Sequence, residues 1–371
     1  MALRLIAKVM GWPEDDDGTA TREYAWLRFM AAAKYDGYAD FRAGARFLES
    51  LATWLKQFAP GDRGAAYEFV KHRLVYISPQ ELLCLIEAFV PETVTPYLRG
   101  VVASELGVEP YEIWSTAEGN TRFNKRLRKT LFVGMSDGSR IDMLRRANPR
   151  RVSQEQILPM LNVDDDKWKD LHDELDREHP GERFDSVYLI DDFAASGTTF
   201  IRQVEGVWKG KLAKFNHLVS EAKERLKDAF PLQAGYDLHI HHYVSSHKAH
   251  DTLQDRMQTA AQAWTAKTFG TWRVTCGMRL PADLELHSPA DDAILDLCER
   301  YYDHALFKRL EKHCRQAGQE NMKLGYADCA LPIVMDHNTP NNSIPLLWAE
   351  TEGKEGAHAM LPLFHRRDRH G

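Results

Sequence analysis

Residues 187–200, VYLIDDFAASGTTF, constrain the fold of this chain more than any other segment. The four apolar residues at its start predict a central parallel strand that is covered on both faces. Asp191 and Asp192 follow at the carboxyl end of this strand, where open α/β sheets bind their ligands. A turn of small and hydroxyl-bearing residues comes next, and FIRQVEGVWKGKLAKF then predicts a helix. The segment therefore indicates a strand, a loop and a helix of an α/β domain.

The turn has the composition of an anion cradle. Backbone N–H groups and hydroxyls would bind a phosphate there, helped by the dipole of the following helix, and the residues concerned are Ala195, Ser196, Gly197, Thr198 and Thr199. The two carboxylates suit the vicinal hydroxyls of a sugar, with a divalent ion lowering their mutual repulsion. A ribose 5-phosphate fits this arrangement. The alternative is an ordinary strand-to-turn junction with two solvated aspartates.

The pattern of apolar residues divides the rest of the chain into regions. From about residue 125, short β-rich runs alternate with helical segments, as in a mainly parallel α/β sheet; the runs are TLFVGM, SVYLIDDF, YDLHIHHYV, WRVTCGM, ALPIVMDH and SIPLLW. Residues 1–105 show helical periodicity and no alternating strand pattern. We predict a helical N-terminal module over 1–105, an α/β domain over 106–360 and a flexible tail over 361–371.

Composition limits the compartment and the partners. The 371 residues carry a net charge of −6, and no stretch approaches the eighteen apolar residues that a spanning helix needs. The N-terminal run predicts a buried helix and not a signal peptide, because an acidic cluster follows it. Five widely spaced cysteines suit reduced thiols. We expect a cytoplasmic protein without a membrane partner.

A second loop lies earlier in the chain, in LFVGMSDGSR at residues 131–140. A strand leads there into a turn that can present N–H groups to an anion, formed by Ser136, Asp137, Gly138 and Ser139. Arg140 adds a planar fork of donors for phosphate oxygens. An ordinary β-to-α turn would have the same residues.

A basic field surrounds this loop. Between Arg122 and Arg151 there are ten Lys or Arg residues and only two acids. Such a field favours an anion such as pyrophosphate or nucleic acid, although most charge runs are solvated helix faces.

VYLIDDFAASGTT resembles the phosphoribosyl-pyrophosphate (PRPP) motif of type I phosphoribosyltransferases. The resemblance implies their mainly parallel sheet with helices on both faces, here preceded by the all-helical module. It implies that Asp191 and Asp192 hold the ribose hydroxyls and Mg²⁺, that 195–199 bind the 5′-phosphate, and that 136–139 bind pyrophosphate. Asp191, Asp192 and Arg140 are then the expected catalytic residues. Ala195 replaces a carboxylate of purine-salvage members, which argues against a hypoxanthine–guanine mechanism and leaves the loop closer to orotate-type members.

Residues 336–348, DHNTPNNSIPLLW, resemble the C-terminal signature of phosphoribosyltransferase-like effectors of bacterial conflict systems, including some retron operons. If the sheet brings this segment beside the phosphate loop, Asn338, Asn341 and Asn342 line the acceptor pocket. The same residues are also typical of a plain turn between two strands.

Two further segments have weaker signals. HIHHYVSSHKAH invites a metal-site interpretation, but no Cys or carboxylate has suitable spacing within it, and the run predicts a sheet strand. The acid-rich stretch over about 152–183 predicts a mobile flap, with Lys167 and Lys169 available to close over a ligand.

Taken together, the residues and the resemblance predict an Mg²⁺-dependent enzyme that binds PRPP, or another phosphorylated ribose, and transfers or cleaves its phosphoribosyl group. The resemblance implies an effector of antiphage defence acting on a nucleotide or base. The alternatives are a catalytically inactive sensor of PRPP or nucleotides, and a nucleic-acid-associated subunit of a defence complex. Partner proteins of a defence operon and a homodimer both stay open.

Overall fold

The computed structural model describes residues 2–13, 18–39, 41, 46–159, 163–315 and 317–366. The helices are α1 (Ala2–Met10), α2 (Thr19–Ala33), α3 (Phe47–Lys56), α4 (Arg63–His72), α5 (Pro79–Phe89), α6 (Thr95–Leu106), α7 (Ala117–Arg128), α8 (Ile141–Ala147), α9 (Asp165–Glu178), α10 (Lys211–Leu226), α11 (His247–Ala263), α12 (Asp292–Arg300) and α13 (Ala305–Arg315). The strands are β1 (Val75–Ile77), β2 (Thr130–Gly134), β3 (Ile157–Pro159), β4 (Phe184–Ala194), β5 (Arg202–Val204), β6 (Val207–Lys209), β7 (Leu232–Ser245), β8 (Trp272–Arg279) and β9 (Ile333–Met335).

The chain forms two compact units. The first combines the two ends of the sequence, Met1–Glu81 and Ala282–Gly371, and the second is continuous from Leu82 to Pro281. The sequence prediction placed its divisions at 105 and 360, where helical texture gave way to strands and to a polar tail. The units differ from that division because packing joins segments that are far apart in sequence.

The second unit contains a five-stranded sheet in the order β3-β2-β4-β7-β8. Every neighbouring pair in it is parallel. The predicted α/β class with a mainly parallel sheet is therefore confirmed, and TLFVGM, SVYLIDDF, YDLHIHHYV and WRVTCGM are strands of it.

Alternate residues of each strand point to opposite faces of this sheet. On one face, Val187 and Leu189 of β4 belong to a buried cluster with Trp168 of α9, Phe215 of α10 and Leu253 of α11. On the other face, rings of β4 and β7 pack against α5 and α6: Phe89 lies 5.4 Å from Tyr188, and Tyr97 lies 4.4 Å from His239, between ring centroids. Helices thus cover both faces, as a buried parallel sheet requires.

The first unit is mainly helical and has an aromatic core that includes Phe47, Trp54 and Phe364. It also contains the short strand β1, which pairs in parallel with β9 through Val75 and Ile333. The prediction of an all-helical N-terminal region is wrong at this strand. A three-residue strand is too short to produce an alternating pattern, and its partner lies more than 250 residues away in sequence.

A capping box begins α5: the Ser78 amide donates to Glu81 Oε2 at 2.8 Å, and the Glu81 amide donates to Ser78 Oγ at 3.2 Å. Two predictions for the C-terminal part of the chain are wrong in part. SIPLLW, predicted as a strand, instead contains a 3₁₀ helix at Pro345–Leu347. Phe364 is fully buried, so the predicted flexible tail is packed there, and residues 367–371 lie outside the described residues.

Of the described helices, none has the length and apolar character needed to cross a membrane.

Candidate functional site

The topology of the sheet selects one edge for a ligand. From β2 the chain passes to β3 on one side, whereas from β4 it passes to β7 on the other. The carboxyl ends of β2 and β4 therefore flank a topological switch point, and crevices of this kind bind ligands in open α/β sheets. Both loops that the sequence singled out, 136–140 and 195–199, leave the sheet at this edge.

Asp191 is held at the centre of this edge and is only 3% exposed. Its Oδ1 accepts a hydrogen bond from Ser136 Oγ, and its Oδ2 accepts one from Lys211 Nζ. Burial raises the pKa of Asp191 above its ordinary value, while Lys211 and Ser136 oppose that rise. The hydrogen bond from Ser136 ties the 136–140 loop to the end of β4, just before the 195–199 loop begins.

Asp192 is half-buried next to it and faces the first loop. A Cβ atom at Gly138 would lie 2.4 Å from Asp192 Oδ2, which is closer than real Cβ contacts come. The absence of a side chain at Gly138 therefore lets the 136–140 loop approach this carboxylate. The 136–140 loop therefore contacts both aspartates at the end of β4, and the 195–199 loop follows them directly in the chain.

The 195–199 loop is compact. Ser196 Oγ and Thr198 Oγ1 are 2.8 Å apart, and the carbonyl of Ala195 accepts a hydrogen bond of 2.5 Å from Ser246 Oγ. Gly197 has a φ of +69°, and a Cβ there would lie 2.9 Å from the Ala249 carbonyl. Positions 195–197 are buried, 198 is half-buried and 199 is exposed, so the loop is open at its C-terminal side.

The prediction that this loop enters a helix directly is wrong. The strands β5 and β6 form an antiparallel hairpin after the loop, and α10 begins only at Lys211. The apolar spacing of FIRQVEGVWKG imitates a helix, while Glu205 and Gly206 adopt the positive φ values of a tight turn. The loop is therefore not followed directly by a helix, and α10 does not supply the dipole that the sequence analysis expected.

The 136–140 loop forms a single 3₁₀ turn at Asp137–Ser139. Asp137 is exposed, but Ser139 is buried and its Oγ donates to the Ser136 carbonyl at 2.6 Å. Ser139, predicted to bind pyrophosphate, therefore has its hydroxyl engaged within the turn. Arg140 is half-buried and has a φ of +45°, a strained value for a residue other than glycine.

Most of the predicted basic field is paired with acids. Lys125 and Lys129 contact Glu182 at 2.6 and 2.7 Å, and Arg128 contacts Glu178 at 2.5 Å. Arg126 pairs with Glu105 and with Asp185. These ion pairs could not be predicted from the sequence, because the acids lie outside the basic segment and only folding brings them next to it.

The flap prediction is wrong for the part of the stretch that α9 occupies. Residues 165–178 form α9, in which Trp168, Leu171 and Leu175 are buried in the core of the second unit. Lys169 contacts Asp166 of the same helix at 3.6 Å. Residues 160–162, which also belong to the predicted flap, lie outside the described residues.

The histidine-rich run forms β7 and the start of α11, as the strand interpretation predicted. Within the described residues, no group of three or more His, Cys, Asp and Glu side chains could hold a metal ion. His242 is opposite Asp191 in the β4–β7 pairing. Burial, followed by the charge of Lys211, lowers the pKa of His242 to about 3, so this imidazole is neutral at pH 7.

The asparagine-rich segment belongs to the first unit and is not part of the five-stranded sheet. Asn342 Nδ2 donates to the Tyr326 carbonyl at 3.0 Å, and the Asn338 amide donates to the Met335 carbonyl at 3.2 Å. These contacts stabilise turns of that unit. A role for Asn338, Asn341 and Asn342 in an acceptor pocket stays a prediction.

The sequence matches one family model over most of its length. A family model described as PRTase-CE matches residues 51–366. The chain belongs to the PRTase-CE family. A phosphoribosyltransferase-like protein with a transferase-type function is therefore supported. No curated protein and no solved structure gave a significant match.

Two residues of this PRTase-CE protein contact the candidate site but were missed in the sequence. Lys211 pairs with Asp191, and Ser246 holds the Ala195 carbonyl. Ser246 has a recognisable signal, since it is the N-cap of α11 and accepts from the Ala249 amide at 2.9 Å. Lys211 has none, because the hairpin that returns it to the site was predicted as helix.

Proposed function

We propose that this protein binds PRPP in the presence of Mg²⁺ and transfers or cleaves its phosphoribosyl group. The observation that carries this proposal is the junction of the 136–140 loop with Asp191 and Asp192 at the switch point of the sheet. A phosphate-binding turn, a pair of acids and a second anion-binding turn are what a sugar bearing phosphates at both ends needs.

Each part of the ligand has a proposed partner. The 5′-phosphate binds the amides and hydroxyls of residues 195–199 and enters from the open side, at Thr198 and Thr199. The ribose hydroxyls lie against Asp191 and Asp192. The pyrophosphate binds the loop of Ser136, Asp137 and Gly138 together with Arg140, whose fork of N–H donors suits phosphate oxygens.

Arg140 and the loop amides would stabilise negative charge as it develops on the departing pyrophosphate. Asp191 and Asp192, with Arg140, are the proposed catalytic residues, because they would contact the ribose and the leaving group. The packing of α9 into the core argues against residues 165–178 as a mobile cover over the ligand.

Asp192 is the carboxylate that would hold Mg²⁺ beside the pyrophosphate. The metal would supply positive charge to offset the charge of the leaving group. Asp191 fits a metal poorly, because the Lys211 ammonium group already lies against its Oδ2 and would repel a second cation.

We further propose a role in antiphage defence, with a base or nucleotide as acceptor, from the resemblance of residues 336–348. The ion pairs of Lys125, Arg126 and Lys129 argue against nucleic-acid binding by the basic field. A sensor would bind PRPP without turnover, so pyrophosphate release separates the sensor from the enzyme.

Calorimetry with PRPP, with and without Mg²⁺, tests the proposal. We expect the wild type to bind and Asp192→Asn to weaken binding by about tenfold or more, equivalent to about 1.4 kcal/mol. Asp142→Asn, an exposed acid on α8, is the matched control and should bind as the wild type does. Failure of the wild type to bind PRPP in either condition would refute the proposal.

A further inference from the structure

The charge balance at Asp191 is unusual for a proposed metal ligand. The carboxylate is buried, and its two oxygens are engaged by a hydroxyl and an ammonium group from two different elements. A buried carboxylate needs such partners, because desolvation strongly disfavours its charge. Its need for a cation is therefore already met by the chain itself.

The backbone fixes Lys211 in this position. Gly210 has a φ of +113°, and a Cβ there would lie 2.5 Å from the Phe200 carbonyl. This close approach lets the chain return from the hairpin to the end of the phosphate loop. The amides of Lys211 and Leu212 then donate to the carbonyls of Thr199 and Phe200, at 3.3 and 3.0 Å. The backbone of Lys211 is thereby tied to the end of the loop, and its side chain to Asp191 at the end of β4.

Mg²⁺ demands near-octahedral oxygen coordination and displaces its waters reluctantly. A metal at Asp191 would lie beside the Lys211 ammonium group, which repels a second cation. No third acidic or histidine ligand completes a cluster among the residues the structure describes. An ammonium group supplies one positive charge and three donors without this geometric demand.

We infer that Lys211 supplies the positive charge at Asp191 that a divalent ion would otherwise supply, so that the ribose 5-phosphate part of the ligand binds without metal. This inference rests on the proposed function and refines it: Mg²⁺ is required for the pyrophosphate end of PRPP and not for the ribose end. Lys211 is then a positioning residue that holds Asp191 against Ser136.

Ribose 5-phosphate is the probe that separates the two ends, because it lacks the pyrophosphate that carries Mg²⁺. Its binding to metal-stripped full-length protein is measured by calorimetry in EDTA and in Mg²⁺. We expect the two dissociation constants to agree within about twofold, well below the tenfold that corresponds to about 1.4 kcal/mol.

Mn²⁺, detected by electron paramagnetic resonance, probes the metal preference of the free protein without any sugar. We expect no Mn²⁺ binding to the wild type. Lys211→Met should gain Mn²⁺ binding and lose ribose 5-phosphate affinity in EDTA by about tenfold or more, with recovery in Mg²⁺. Lys214→Met, an exposed lysine one turn further along α10, is the matched control and should behave as the wild type.

The arms fail in different ways. If the wild type binds ribose 5-phosphate only with Mg²⁺, or binds Mn²⁺ in a manner that Asp191→Asn abolishes, the inference is overturned. Unchanged metal-free binding by Lys211→Met also overturns it. If the wild type binds neither PRPP nor ribose 5-phosphate, the proposed function fails, and the Mn²⁺ measurement still decides whether Lys211 replaces a metal. If Lys211→Met does not fold, the wild-type measurements decide.

Discussion

Two regions of the same sheet bury polar side chains, and they do so in different ways. At the carboxyl end of β4, the buried Asp191 accepts a hydrogen bond on each oxygen, from Ser136 and from Lys211. On the face beneath α5 and α6, His239 and His241 of β7 are buried among aromatic rings. Their Nε2 atoms have no hydrogen-bond partner among the described residues.

The contrast follows from charge. A carboxylate at a ligand-binding edge stays ionised only if a cation and a donor accompany it. An imidazole in a packed layer avoids this requirement by staying neutral: burial lowers the pKa of His239 to about 4 and that of His241 to about 3. The edge is therefore suited to bind an ionic ligand, and the face makes stability depend on pH.

The largest expected effect tests the histidine face. Unfolding raises the pKa of each histidine to about 6.5, so the unfolded chain binds more protons below that pH. The folded state therefore loses no stability to these histidines above pH 6.5. It loses stability as the pH falls towards their pKa values in the folded protein, which are about 4 for His239 and about 3 for His241. At pH 5 each histidine should cost about 2 kcal/mol of unfolding free energy.

Urea unfolding of His241→Phe at pH 7 and pH 5 measures this term. When the pH falls from 7 to 5, the unfolding free energy of the variant should decrease by about 2 kcal/mol less than that of the wild type. The matched control is His217→Gln, since the His217 side chain is 74% exposed on α10, and it should retain the wild-type pH dependence. Equal pH dependence in His241→Phe and the wild type would show that the buried face does not control acid stability.

A smaller effect is expected where the edge depends on close approach. Gly138→Ala would place a methyl group against the Asp192 carboxylate and push the 136–140 loop away from it. We expect PRPP affinity to fall by about tenfold, or about 1.4 kcal/mol, in calorimetry. Gly100→Ala in α6 is the control, because a Cβ there meets nothing within 4 Å and binding should not change. If Gly138→Ala binds PRPP with wild-type affinity, the 136–140 loop is not part of the PRPP site.

The smallest effect is expected outside both regions, in the paired basic field. Lys125 and Glu182 form an ion pair that is partly solvent-exposed, and such pairs contribute between 0 and about 1 kcal/mol. Lys125→Gln should therefore lower the unfolding free energy by less than about 1 kcal/mol in urea titrations. PRPP affinity should not change. If Lys125→Gln lowers PRPP affinity as much as Gly138→Ala does, the basic field is an anion-binding surface after all.

Local sequence patterns predicted much of the second unit. Short β-rich runs identified β2, β4 and β7 as strands, and the two acids near the carboxyl end of β4 identified the ligand edge. These predictions succeeded because strand burial and strand ends are properties of a few consecutive residues. Local patterns did not predict the hairpin of β5 and β6, because the spacing of its apolar residues is also compatible with a helix.

The sequence by itself determined the parallel α/β class and the two loops that leave the sheet at the carboxyl ends of β2 and β4, because both follow from short-range pattern and from the order of elements along the chain. Only the tertiary structure decided which charges are partnered. The approach of Lys211 to Asp191, the neutralisation of Lys125 and Lys129 by Glu182, and the pairing of β1 with β9 each join residues from separate elements. Electrostatic pairing and strand pairing depend on distance in space, and folding alone sets that distance.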